Sequence, residues 1–145
     1  MTPHKQVFRH RTSLGEWGDC ERTAIACLLD LRPEDVPHWN HGVDGRGPME
    51  DHARTIRTRW LAERGLFLVS INLAADSFDQ ITEWVATNHP GIHYLVGGMA
   101  GRAVNHVVIC RDRELVHDPH PDGPGGLTGP SDDGFWWINF LGRIT

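Results

Sequence analysis

Apolar positions recur at helical spacing through most of the first half of the chain and in short continuous runs through most of the second. In the segment from Cys20 to Leu31, Ala24, Cys27, Leu28 and Leu31 stand three and four residues apart and share one face, which predicts a helix. Asp19 stands at its N-cap position, and Glu21 in the first turn suits the positive end of the helix dipole. Pro33 and Pro37 bracket a tight turn ending at His38-Trp39. A Gly-rich loop runs from His41 to Pro48, followed by a second helix from about Met49 to Arg64, closed by Gly65. Leu66 to Leu73 predicts a strand, and Ser77 to Asn88 a third helix capped by Asp76 or Ser77. Three apolar strands follow, Ile92 to Val96, Val104 to Cys110 and Glu114 to His117, the last two joined as a hairpin through Arg111-Asp112-Arg113. Pro119 to Gly134, rich in Pro, Gly and Asp, predicts a long loop, and Phe135 to Leu141 a closing strand. Helices first and an antiparallel sheet last predict an α+β architecture, one domain over residues 1–145 with its N-terminal helices packed on a C-terminal sheet.

Composition narrows this picture. A chain of 145 residues supports one core of moderate size, and 39% hydrophobic with 23% charged residues is ordinary for a globular protein. A formal charge of −5, with the basic residues near the front (Lys5, Arg9, Arg11) few and interrupted, gives no stripe for nucleic-acid binding. No run approaches the length that spans a bilayer, and Met1 to Gln6 lacks a signal peptide's apolar stretch, so no membrane partner is expected. Three cysteines, few and odd in number, argue against a disulfide framework and for a cytoplasmic setting.

The candidate chemistry centres on Cys20. A thiol acts as its thiolate, and a helix N-terminus favours that form through unpaired N–H groups and a partial positive charge. Those N–H groups can also contribute to an oxyanion hole. Gly18, just before, would let a substrate approach the backbone, and Trp17 could floor a substrate groove. His106 opens an apolar strand and Asp118 ends the strand beside it. In an antiparallel hairpin the start of one strand lies beside the end of the next, so the two are expected to meet. A carboxylate there holds the imidazole in the tautomer that abstracts a proton.

These residues give the sequence its resemblance to a known family. Gly18-Asp19-Cys20 followed by the Ala24–Leu29 helix, then His106-Val107-Val108, then Asp118-Pro119, resembles the papain-like cysteine peptidase superfamily. The pattern is closest to the bacteriocin-processing (double-glycine) peptidases and small bacterial and phage relatives. The resemblance implies a papain-like fold and a cysteine hydrolase acting on a peptide, isopeptide or related amide through Cys20, His106 and Asp118, with no cofactor. Two positions depart from the family pattern. Glu21 stands where Gly usually follows the cysteine. The only upstream glutamine, Gln6, lies fourteen residues before Cys20 instead of about six, and it is assigned the oxyanion role on that resemblance. Asp19 and Glu21 leave open a papain-like binding protein, such as a phage or host-defence factor. An acyltransferase using the same thioester is a third reading.

Ten histidines raise the question of a metal. His38, His41 and Asp44 share one loop, and His117, Asp118 and His120 another, but neither group has a four-ligand spacing or contains a cysteine, so no metal site is assigned. His120 is expected to line the loop beside Asp118. Cys27 and Cys110 read as core residues.

Overall fold

The computed structural model describes residues 1–43, 48–123 and 125–145. The protein is α+β, with helices α1 (Cys20–Leu28), α2 (Pro48–Ala62) and α3 (Phe78–Asn88). Its strands are β1 (Leu66–Leu73), β2 (His93–Met99), β3 (Asn105–Arg111), β4 (Glu114–His117) and β5 (Trp136–Arg143), in the sheet order β1-β5-β2-β3-β4. Among the described residues no helix is long and apolar enough to cross a membrane. The chain divides into two compact units, Met1–Leu68 with Leu141–Thr145, and Val69–Phe140, and each is described by itself.

In the first unit α1 is buried along nearly its whole length, with Ala24, Ile25, Ala26 and Cys27 all inaccessible to solvent. It stops at Leu28, three residues short of the apolar pattern's end, because Asp30 turns left-handed (φ 56°). Leu31 N–H then bonds to Ala26 O at 2.9 Å and Asp30 N–H to Cys27 O at 3.3 Å. This pair of bonds closes the helix as a Schellman turn and leaves Leu31 just beyond the helix. The N-terminal segment runs along the same helix, with Thr2 N–H on Cys27 O (3.0 Å) and His4 N–H on Cys27 Sγ (3.2 Å). The irregular approach to α1 contains a 3-10 turn, Thr12–Leu14, closed by a bridge between Arg11 and Glu16.

In the second unit α3 starts as its sequence predicts, with Ser77 Oγ accepting from Gln80 N–H at 3.3 Å. The Gln80 side chain reaches back to accept from Asp76 N–H at 2.8 Å, a variant of the capping box. Its inner face carries Ile81 and Val85 onto Tyr94, Val96, Val108, Cys110, Trp136 and Ile138 of three adjacent strands, and this cluster is the unit's core. The strands β2, β3 and β4 are antiparallel, with Val96 opposite Val108 and Gly98 opposite His106. A β-bulge lies at Ile109/Cys110. Asp112 turns left-handed (φ 51°) in the tight β3–β4 connection.

Strand β2 continues three residues past the expected Val96, through Gly97 and Gly98 to Met99. The reason is close packing at Gly98. A Cβ there would meet Gly129 O at 2.7 Å and the Trp136 ring at 3.0 Å. The bare backbone lets the loop after β4 bond to the end of β2, Met99 N–H to Gly129 O (2.8 Å) and Thr128 N–H to Met99 O (2.7 Å). The long Pro119–Gly134 segment is therefore pinned to the sheet at its middle. Gly98→Ala should cost about 1–3 kcal/mol by overpacking, read as a lowered urea midpoint; an unchanged midpoint would mean that the 128–129 backbone yields without cost.

Candidate functional site

Burial of polar groups, each needing a partner, picks out one cluster in each unit. In the second unit, the alternation of β3 puts His106 on the same face as Val108 and Cys110, opposite Gly98. His106 Nε2 lies 2.7 Å from Asp118 Oδ1, and each side chain is only 1% exposed. The hairpin expected from the sequence thus brings these two residues into direct contact. Two backbone donors complete the carboxylate, His120 N–H on Oδ1 at 2.9 Å and Gly126 N–H on Oδ2 at 3.0 Å. Burial alone would raise the Asp118 pKa, but the hydrogen bonds from His106, His120 and Gly126 outweigh it and hold the carboxyl well below its ordinary range. An ionised carboxylate only accepts, so Nε2 of His106 is the donor. His120 stands beside the pair, its ring edge-on to His106 with centroids 6.0 Å apart. Burial, with Arg102 and His106 nearby, lowers the His120 pKa.

Cys20 belongs to the first unit, as the first residue of α1. It is partly exposed, whereas Cys27 and Cys110 are fully buried and all three are free thiols. Asp19 occupies the N-cap position, yet its side chain does not cap the helix. Its carboxylate is wholly buried and turns away to other donors, Phe8 N–H at 2.8 Å, Val7 N–H at 3.3 Å and Arg22 Nε at 2.8 Å. Arg22 in turn donates from Nη1 to Val36 O at 2.9 Å. Glu21 is engaged as well, accepting from Arg57 Nη1 at 2.5 Å and from Trp39 Nε1 at 2.9 Å. Both acidic neighbours of the thiol are therefore ion-paired with arginines, which offsets their repulsion of a thiolate.

The remaining candidates also lie in the first unit. Gln6 is buried rather than a loose surface residue; its Nε2 donates to Phe8 O at 2.5 Å, and its Oε1 has no hydrogen-bond partner among the described residues. At Gly18 the close approach is made by the chain's own His10, whose Cβ would lie 3.1 Å from an added Cβ and whose Nδ1 accepts from Gly18 N–H at 3.3 Å. Trp17 is half-buried, its carbonyl 2.9 Å from His38 Nε2 and its ring edge-on to His41 at 5.4 Å. Asp44, the third member of the His38–His41 group, lies outside the described residues. Among the described residues no three His, Cys, Asp or Glu side chains are grouped to hold a metal.

Sequence reasoning missed Arg22, Arg57 and Gly126. Arg22 was within reach, because it stands three residues after Asp19 on one helix face. Arg57 and Gly126 act across 36 and 8 residues, and no local spacing announces either. Comparison with family models, curated proteins and solved structures finds no match to this chain.

Because the folded-state pKa of Asp118 is depressed, its contribution to stability is fully present above the ordinary aspartate pKa near 4 and is lost as pH falls through the lower folded value. Asp118→Asn should cost about 1.5–3 kcal/mol at pH 7 and flatten the stability profile below pH 4. Urea midpoints from pH 7 to pH 3 check both; an acid limb as steep as that of the unchanged protein would contradict the assignment.

Proposed function

We propose that the protein is a cytoplasmic cysteine hydrolase of papain-like fold that cleaves a peptide, isopeptide or related amide bond. The Cys20 thiolate attacks the carbonyl carbon. His106 holds the thiol's proton and gives it to the leaving amine as the C–N bond breaks. Water then opens the thioester, restoring the thiol and releasing the acid. Asp118 fixes the His106 ring, and the Cys20 backbone N–H with the Gln6 amide stabilises the oxyanion.

The observation that carries this reading is the His106–Asp118 pair. An imidazole hydrogen-bonded at 2.7 Å to a carboxylate with two further backbone donors is a base of fixed tautomer, set at the head of a largely apolar strand. The ion pairing of Asp19 and Glu21 adds support, since it offsets the charges that would disfavour a thiolate at Cys20. An acyltransferase would share every step up to the thioester, and amine-dependent product formation distinguishes it.

Iodoacetamide at pH 7 should label Cys20 alone in the folded protein. Cys27 and Cys110 are buried, and burial raises both thiol pKa values, that of Cys110 to about 12. Cys20→Ala should abolish labelling. His106→Ala should slow it by at least about tenfold, because an ordinary thiol is only a few per cent thiolate at pH 7. Equal labelling of all three cysteines, or full biological effect in Cys20→Ala, would rule out the thiol mechanism.

A further inference from the structure

The carboxylate next to Cys20 in sequence reaches, through its hydrogen bonds, a segment eleven and twelve residues away. We propose that Asp19 is a positioning residue: it clips the N-terminal segment at Val7 and Phe8 to the start of α1 and thereby holds Gln6 in place as an oxyanion donor. This inference rests on the thiol-hydrolase reading above and names the device that makes its oxyanion site.

Three features carry it. Asp19 is fully buried, and its carboxylate accepts from Phe8 N–H, Val7 N–H and Arg22 Nε. A buried carboxylate of this kind fixes whatever donates to it, because a lost donor leaves a desolvated charge. The segment's neighbouring contacts lead away from α1, with Arg9 N–H donating to Glu16 Oε1 at 2.6 Å and the Phe8 ring stacked on His38 at a centroid distance of 5.2 Å. Val7 and Phe8 are both exposed and belong to no helix or strand. The segment's other described backbone ties to α1 lie at the far end of the helix, where Thr2 and His4 donate to Cys27. Lastly, the Gln6 amide is oriented by the clipped residues themselves, since Nε2 donates to Phe8 O at 2.5 Å. That bond occupies one N–H of an amide that carries two. Arg22 completes the clip by bonding Val36 O and by lying over the Phe8 ring at 5.7 Å from its centroid.

An oxyanion donor and a thiol activator leave different kinetic marks. Alkylation by iodoacetamide displaces iodide at a saturated carbon and forms no oxyanion. Acylation by p-nitrophenyl acetate passes through a tetrahedral oxyanion before the C–O bond to p-nitrophenolate breaks. In the folded protein, Asp19→Asn should lower the acylation rate of Cys20 relative to its alkylation rate by at least about tenfold. It should also speed amide exchange at Val7 and Phe8 while leaving Thr2 and His4 protected. Gln6→Ala should lower the same ratio without loosening Val7 and Phe8. Asp19→Asn leaves Arg22 buried without its carboxylate, so Asp19→Asn combined with Arg22→Gln provides a second version in which no unpaired charge remains, and it should show the same lowered ratio. Unchanged exchange at Val7 and Phe8 would overturn the clip. Loosened exchange with an unchanged ratio, or two rates that fall in proportion, would overturn the positioning role while leaving the thiol reading intact. A Cys20 that reacts no faster than Cys27 in the unchanged protein would remove the thiol reading and this inference together.

Discussion

A carboxylate taken out of water costs several kcal/mol unless its oxygens are fully hydrogen-bonded. Among the described residues two aspartates, Asp19 and Asp118, are buried, and much of the local order around them can be traced to meeting that demand. Asp19 takes Arg22 and the backbone N–H groups of Val7 and Phe8; Asp118 takes His106 and the backbone N–H groups of His120 and Gly126. In both cases one side-chain partner is joined by two main-chain donors from a segment without regular structure. The N-terminal segment and the loop after β4 are thus held by charge satisfaction where they lack ladders of their own. Gly98 serves the second of these segments, because its missing Cβ is what lets Gly129 reach the end of β2.

The elements were largely legible because their signals are local. Strands β1 and β4 have the bounds that their apolar runs predict, and Ser77 caps α3 as its position suggests. The errors fall where tertiary contact overrides a local sign. Leu31 continues the helical period of α1, yet a left-handed Asp30 ends the helix in a Schellman motif and leaves Leu31 outside it. The strand expected to end at Val96 runs on through Gly97 and Gly98, and the bare backbone at Gly98 admits the close approach of Gly129. Asp19 has the position and chemistry of an N-cap, but the buried arginine three residues on and two distant amides outcompete the helix's own N–H groups for it.

The candidate site divides in the same way. Hairpin pairing brings the strand ends that carry His106 and Asp118 together, but it is the register shift at Ile109/Cys110 that sets Asp118 on the face of His106. What held Asp118 ionised could not be read, because Gly126 reaches it from inside a loop whose composition says only that it is irregular. The acidic neighbours of Cys20, Asp19 and Glu21, are a related case. Their charges are visible in the sequence, whereas Arg57, which pairs with Glu21 from 36 residues away, is not marked by any spacing.

The two buried aspartates nevertheless differ in what they can do. Asp19 is paired with a guanidinium, which keeps its proton at every accessible pH, so that pair can only hold geometry. Asp118 is paired with an imidazole, whose two nitrogens let it donate to the carboxylate at Nε2 while taking or giving a proton at Nδ1. The same arrangement of one side-chain partner and two main-chain donors is therefore inert beside Cys20 and chemically competent at the head of β3. That difference in the partner's proton chemistry, more than burial or hydrogen-bond count, is why we propose His106 as the base and Asp19 as a clip.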